Sequence, residues 1–328
     1  MKEKWSDEII PINIFLMTGN KKKRLLIIGY SSFFKRRILP SLKKNKQFEY
    51  CVCSKSNKLS KKNRIFFKDY ISAVEKFKPD LVYISTINSL HYFYAKKLLN
   101  KGLHVIVDKP VTTNYKKTNE LLKIAKLKNL LFVEATLFNY HRTFNIINKL
   151  TNNFKDVVHI QSNLNHPLIR TIKDIKRING DCELDMGPYA AAVLRLFIKK
   201  KIKKINVYKN YFNKTNIVKD FYITAKSENC SYFGNFGFQR EYIHQIVFFT
   251  KNKIIYTPPR IFAIPPNKDF FILIKTKNSY KKIKVHKDDC IRNFFKIVLN
   301  VLNNKNFKYF YDIMSYDAKT RDNISKFK

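Results

Sequence analysis

The chain has 328 residues, 45% of them hydrophobic and 15% aromatic. That is ample for a buried core, excludes wholesale disorder and suits two domains of ordinary size or one large one. Its 65 Lys and Arg against 24 Asp and Glu give a formal charge of +41, yet no apolar run of roughly 18 residues exists to cross a membrane.

The charge alone points to nucleic acid. Composition gives a simpler account. Lysine far outnumbers arginine, Asn, Phe and Tyr are abundant, and Gly is scarce at 7 residues. Lys, Asn, Ile, Phe and Tyr share A/T-rich codons, and the lysines are spread along the whole chain. No helix-turn-helix, zinc or RNA-recognition signature stands out, so no specific nucleic-acid partner is expected. The positive field would still draw anionic small molecules. The five cysteines, Cys51, Cys53, Cys182, Cys230 and Cys290, show no zinc-like pair of spacings. No metal site is expected, and a reduced cytoplasmic setting fits.

Residues 1–22 follow no period and read as an N-terminal extension. The apolar stretch Ile9–Met17 is broken by Pro11 and Asn13 and follows acids, unlike a signal peptide. Met17, just ahead of the basic run at residues 21–24, stands as an alternative start of translation. Arg24-Leu25-Leu26-Ile27-Ile28-Gly29 is a short apolar run ending in glycine, as in a buried parallel strand. A helix follows over Ser32–Lys44, with a kink expected at Pro40. Tyr50–Cys53 and Ile65–Phe67 read as strands, Asp69–Phe77 as a helix and Asp80–Ser85 as a strand. Leu90–Asn100 is helical and stops at Gly102. His104–Val107 is a strand, Tyr115–Leu127 a helix, and Leu130–Val133 closes the set.

Strands alternating with such helices predict a doubly wound parallel sheet, with ligands at the carboxyl ends of the strands. The pattern changes near residue 140. A helix is expected over Gly187–Phe197. The strand-like segments Ile205–Tyr211, Phe221–Lys226, Ser231–Phe238, His244–Thr250 and Phe270–Lys275 follow without helices between them. They predict a mainly antiparallel sheet, and Asp289–Asn303 a final helix. The expected division is one domain over 23–140 and a second over 141–328.

Several strand ends carry residues with chemistry. In Gly29-Tyr30-Ser31-Ser32-Phe33-Phe34, only the first glycine of a dinucleotide fingerprint is present, and Ser31 and Phe34 occupy the other two places. Gly29 permits the tight turn, and Ser31 and Ser32 offer hydroxyls to a phosphate at the helix start. The second strand ends in Ser54-Lys55-Ser56. An NAD site places an acid there for the ribose 2′-hydroxyl. A lysine between two serines favours NADP(H) over NAD(H), against the plain reading of one more lysine in a lysine-rich chain. Asn88 and His91 follow the fourth strand; a lone histidine there reads equally well as structural.

Asp108-Lys109-Pro110 is the most specific feature. A lysine at the end of a buried strand, fixed by the following proline, is placed to stabilise negative charge on a substrate oxygen. A cis Lys109–Pro110 bond would aim that side chain into the cleft. In Asp185-Met186-Gly187-Pro188-Tyr189, Asp185 and Tyr189 share a face if the helix has begun. A nearby Lys109 would lower the Tyr189 phenol pKa and make it a general acid/base. The alternative is an Asp185 helix cap with a packed tyrosine.

Together these motifs resemble the Gfo/Idh/MocA family of nicotinamide-dependent oxidoreductases. Its anchors are the Gly29 turn with Arg36-Arg37 and Leu39-Pro40, then Asn88–His91, Asp108-Lys109-Pro110, and Asp185–Tyr189. The segment Val133–Phe138 and the tyrosine at 189 resemble its glucose–fructose oxidoreductase and dihydrodiol dehydrogenase branch. The resemblance implies an α/β fold, with an N-terminal Rossmann doubly wound parallel sheet and a C-terminal α+β domain holding a large, mainly antiparallel sheet. It implies hydride transfer between NAD(P) and a hydroxyl or keto carbon of a sugar, cyclitol or sugar nucleotide. It also implies that 23–140 is a dinucleotide-binding domain and 141–328 a substrate and oligomerisation domain, in a homo-oligomer, dimer or tetramer. By position, Lys109 orients nicotinamide and substrate, Tyr189 is the acid/base, Asp185 binds substrate, and Asn88 and His91 lie beside the nicotinamide. The incomplete fingerprint motivates an alternative: a non-catalytic relative that binds a nucleotide or sugar as a sensor or partner protein.

Overall fold

The computed structural model describes residues 22–55, 66–167, 175, 180–198 and 202–327. Strand β1 (Lys23–Ile28) is buried from Leu25 to Ile28 on both of its faces, which suits the middle of a parallel sheet. It pairs in parallel with β2 (Phe48–Cys53) and β4 (Leu81–Ile84). With β3 (Phe66–Phe67), β5 (His104–Val107) and β6 (Phe132–Glu134), the order is β3-β2-β1-β4-β5-β6, parallel throughout. The winding direction reverses between β1 and β4. The crevice beyond those two carboxyl ends is where such a sheet takes its ligand.

The helix after β1 begins irregularly. Over Phe34–Ile38 it widens, the Leu39 N–H reaching Phe34 O, and then runs on as α1 (Leu39–Lys43). Pro40 has no N–H, and its ring crowds the carbonyl one turn back. The expected kink is therefore realised as a wide turn just before it. Helix α2 (Tyr70–Phe77) is capped by Asp69, which accepts from Ser72 N at 2.7 Å. Helix α3 (Asn88–Asn100) is stopped by Gly102 at φ +80°, and α4 (Tyr115–Leu127) is capped by Asn114. A short helix, α5 (Thr143–Leu150), leads to the second sheet.

That sheet has eight strands in the order β14-β13-β12-β11-β7-β10-β9-β8. They are β7 (Val157–His166), β8 (Lys204–Tyr211), β9 (Val218–Lys226), β10 (Ser231–Phe238), β11 (Ile243–Thr250), β12 (Ile254–Tyr256), β13 (Phe270–Lys275) and β14 (Tyr280–Val285). Every neighbouring pair is antiparallel except β7 and β10. Three strands, β7, β12 and β14, have no counterpart in the sequence reading. Central β7 reads as polar because a serine takes one of its inward places. Ser162 is buried there, its hydroxyl 2.7 Å from the Tyr232 hydroxyl.

Helix α6 (Cys182–Val193) lies on β9 and β10. It starts at Cys182, not Gly187, and its cap is Asp181, which accepts from Leu184 N at 2.9 Å. This corrects the cap reading of Asp185. Gly187 and Pro188 lie inside the helix and hid its first turns. The last two helices, α7 (Cys290–Asn304) and α8 (Lys308–Ser325), return to the first sheet. The Phe295 ring stands 5.3 Å from Phe48, and the Tyr311 hydroxyl donates to Leu130 O at 2.5 Å. Among the described residues, no helix is long and apolar enough to cross a membrane.

Candidate active site

Strand β5 delivers Asp108-Lys109-Pro110 to its carboxyl end, and the Lys109–Pro110 bond is cis. Asp108 turns inward. Its carboxyl accepts from the Tyr83 hydroxyl and from Ser85 Oγ, the latter at 2.6 Å. Burial pushes this carboxyl up, and the two hydroxyl donors pull it back. Ser85 Oγ also lies 2.7 Å from Ser31 Oγ, which accepts from Phe34 N at 3.0 Å. One chain of hydroxyls thus joins the first loop to the Lys109 loop.

Lys109 turns the other way. Its ammonium donates to the Asp185 carboxylate and, at 2.7 Å, to the Asp185 backbone carbonyl. The same Nζ stands 5.0 Å from the centre of the Tyr189 ring. Asp185 and Tyr189 are one turn apart on α6 and so share a face. The three residues expected to carry chemistry are therefore together. Aromatic rings back Tyr189: Phe138 at 5.6 Å and Phe262 at 5.4 Å. One electrostatic expectation needs correction. Burial dominates and raises the Tyr189 phenol; Lys109 lowers it but does not prevail.

Gly29 sits at φ +91°, and a Cβ there would come within 2.3 Å of Ser85 O. Close passage of β1 past the end of β4 therefore requires glycine. Phe34, in the place of the third fingerprint glycine, turns its ring into the core, 5.9 Å from Tyr83. It occupies the helix–sheet interface and leaves the crevice alone. Ser31 spends its hydroxyl on Ser85 and the Phe34 N–H, and Ser32 is exposed at the helix start. Ser54 and exposed Lys55 follow β2, on the far side of β1 from β4; Ser56 lies outside the described residues. Asn88 is the first residue of α3 and half-buried.

His91 is fully buried. Its ring nitrogens lie 2.7 Å from Pro110 O and 3.2 Å from Thr86 O. The ring is a tie between the loop after β4 and the Lys109 loop after β5.

The sequence reading passed over three groups near this site. Glu134, at the end of β6, accepts from Val111 N at 2.6 Å and from Thr136 Oγ1 at 2.7 Å. Arg321 of α8 pairs with it at 3.3 Å, and the same side chain passes over Gly187. Phe262 completes the wall behind Tyr189. Of these, an acid ending a buried apolar strand was the signal present in the sequence. A separate cavity of about 330 Å³ opens on the other flank of α6, lined by Thr112, Asn114, Glu183, Gly187, Asn216 and Arg321.

The sequence profile of an oxidoreductase family with an NAD-binding Rossmann fold matches residues 23–136. A dTDP-3,4-didehydro-2,6-dideoxy-α-D-glucose 3-reductase from Streptomyces violaceoruber is 25% identical over 191 residues, 55% of this chain and 56% of that one. A D-xylose 1-dehydrogenase (NADP(+)) from Haloferax volcanii is 28% identical over 123 residues, 36% of this chain and 38% of that one. The chain thus spans little more than half the length of the reductase and less of the dehydrogenase. Among solved structures, a 3-ketoreductase from Actinomadura kijaniata, in complex with TDP-benzene and NADP, superposes with a TM-score of 0.83. It is 17% identical, with 93% of this chain and 98% of that one covered. At that identity the likeness establishes the fold.

Proposed function

We propose that the chain, whose residues 23–136 match the profile of the Gfo/Idh/MocA oxidoreductase family, is an NADP(H)-dependent oxidoreductase acting on a hydroxyl or keto carbon of a sugar, cyclitol or sugar nucleotide. The observation that carries this reading is the Lys109 ammonium held by Asp185 and set 5.0 Å from the Tyr189 ring. A fixed cation beside a phenol, at the strand ends of a doubly wound sheet, suits proton transfer at an oxygen that gains or loses negative charge.

The residues present fit the cofactor. Gly29 makes the tight turn, and Phe34 stays out of the crevice. The end of β2 offers Ser54 and Lys55, a hydroxyl and an ammonium suited to a 2′-phosphate, where an acid would suit the free 2′-hydroxyl. Bound there, the nicotinamide supplies or accepts the hydride. Tyr189 holds the proton at its phenol oxygen and passes it to or from the substrate oxygen. Lys109 stabilises the negative charge on that oxygen, and Asp185 keeps the ammonium in place. His91 and the Ser31–Ser85–Asp108 chain hold the loops at their positions. The sugar reading draws support from the relatives, which are named as a keto-sugar 3-reductase and a xylose dehydrogenase. Residues 23–140 would hold the cofactor and 141–328 the substrate, in a homo-oligomer.

The test is a fluorescence titration with NADPH and NADH in parallel, followed by turnover on a panel of sugars, cyclitols and sugar nucleotides. Saturable NADPH binding that weakens on Lys55→Glu, with turnover abolished by Tyr189→Phe, is the expected result. Tight NADPH binding without turnover on any member would replace the enzyme with a nucleotide-binding relative.

A further inference from the structure

Arg37 is a residue of the first helix that this mechanism leaves unused. It lies in the wide turn Phe34–Ile38, just beyond the loop that begins at Gly29. Its guanidinium crosses to the second half of the chain. There Nη1 donates to Ala263 O at 3.1 Å and Nη2 to Ile264 O at 3.0 Å. Two successive carbonyls match the rigid fork of a guanidinium, which the compact ammonium of lysine cannot reproduce. Both acceptors are neutral carbonyls.

Phe262 immediately precedes these carbonyls. It is buried, and its ring stands edge-on to Phe138 at 5.0 Å and to Tyr189 at 5.4 Å. Fastening residues 263 and 264 therefore fixes the ring against which Tyr189 rests. The charged groups that act on the phenol come from four elements. Lys109 follows β5, Asp185 lies on α6, Arg37 on the first helix and Glu134 at the end of β6. Burial raises the phenol most. Lys109 and Arg37 lower it, while Asp185 and Glu134 raise it.

We propose that Arg37 is a positioning residue for proton transfer at Tyr189: it ties the helix of the cofactor loop to the aromatic wall behind the phenol and holds a second positive charge near it. This rests on the reading of Tyr189 as the acid/base.

The experiment is the pH profile of kcat in the alcohol-oxidising direction, for the wild type, Arg37→Met and Arg37→Lys. Oxidation needs the phenolate, so the rate rises with pH through the phenol pKa. Loss of the Arg37 charge moves that rising limb to higher pH. On the limb, Arg37→Met is slower than the wild type, and the deficit closes on the alkaline plateau. Arg37→Lys restores the limb but keeps a raised KM for the sugar, because an ammonium does not hold both carbonyls. NADPH affinity stays unchanged in both variants. A deficit equal at every pH, or an unmoved limb, overturns the proposal. Should Arg37→Met fail to fold, Arg37→Gln keeps an amide donor without the charge and reads the same limb. A wild type that turns over no sugar overturns the enzyme reading and, with it, the role in proton transfer. Carbon-13 NMR titration of Tyr189, assigned with Tyr189→Phe, then tests the electrostatic claim separately in the wild type and Arg37→Gln. An unmoved phenol overturns that claim too.

Discussion

Asp185 holds the Lys109 ammonium from two directions, through its carboxylate and through its backbone carbonyl at 2.7 Å. The lysine comes from the first sheet and the aspartate from a helix on the second. Their contact is therefore where the two halves of the chain meet in chemistry. In the proposed reaction Lys109 acts on the substrate oxygen as charge develops there. Lys109→Ala should lower kcat by about 10²–10³, the usual effect of deleting one preorganised donor. NADPH binding should stay within a few-fold of wild type. Steady-state kinetics alongside fluorescence titration separate the two effects, and undiminished turnover would remove Lys109 from the mechanism.

Gly29 has no substitute in the turn after β1. Alanine there would adopt φ +91° with its Cβ 2.3 Å from Ser85 O. Either the backbone leaves the left-handed region or β4 moves. Ser85 also anchors Asp108, so that shift reaches the Lys109 loop. Gly29→Ala should cost at least about 1–3 kcal/mol from backbone strain alone and weaken NADPH binding. Chemical denaturation and the cofactor titration measure the two losses. Gly102, at φ +80° but with open space around its Cα, provides the control, because Gly102→Ala pays only the conformational term.

Arg321 and Glu134 form an ion pair with the glutamate almost wholly buried. Arg321→Met leaves the Glu134 carboxylate in place with, among the described residues, two hydrogen-bond donors, Val111 N and Thr136 Oγ1. Removing one member of such a pair typically costs about 3 kcal/mol, because the other charge remains desolvated. The double variant Arg321→Met with Glu134→Gln should recover most of that loss, since the amide oxygen still accepts from Val111 N. A denaturation double-mutant cycle checks both statements. Simple additivity of the two losses would mean that the pair is not coupled.

The first sheet was legible almost strand by strand, because each strand is a short apolar run bounded by a turn residue or helix cap. The proposed catalytic trio was legible for a related reason: Lys109 stands at such a boundary. The second half was less so. In β7 the inward Ser162 is satisfied by Tyr232, and a partner 70 residues away cannot be read from local pattern. Helix α6 was shortened because Gly187 and Pro188 signal a start, whereas Asp181 is the cap. Helix α8 is mostly polar, and half-buried Arg321 and buried Asp317 find their partners elsewhere in the chain: Glu134 and Arg195. Arg37 belonged to a recognisable motif, yet its acceptors at residues 263 and 264 are set by tertiary structure alone.

Two buried histidines should make stability depend on pH. His141 Nδ1 accepts from Thr143 N at 3.2 Å, and a backbone N–H can only donate, so that nitrogen resists protonation. Burial lowers the His141 pKa to about 4 and the His244 pKa to about 3, the latter helped by His166 and Arg260. In the unfolded chain both titrate near 6.5. As pH falls through 6.5 the unfolded state takes up protons first, so each histidine's contribution to stability declines. The decline ends near pH 4 for His141 and near pH 3 for His244. Within that window each contributes a slope of up to about 1.4 kcal/mol per pH unit. Carboxyls raised by burial, such as Asp108, act with the opposite sign, since their folded state binds the proton more tightly. The difference between variant and wild type isolates the histidines. His244→Gln should flatten the acid limb of unfolding free energy against pH by about one proton's worth, and His141→Gln should do the same independently. Denaturant unfolding at a series of pH values measures this, and variants with the same slope as wild type would show that these rings are already charged in the fold.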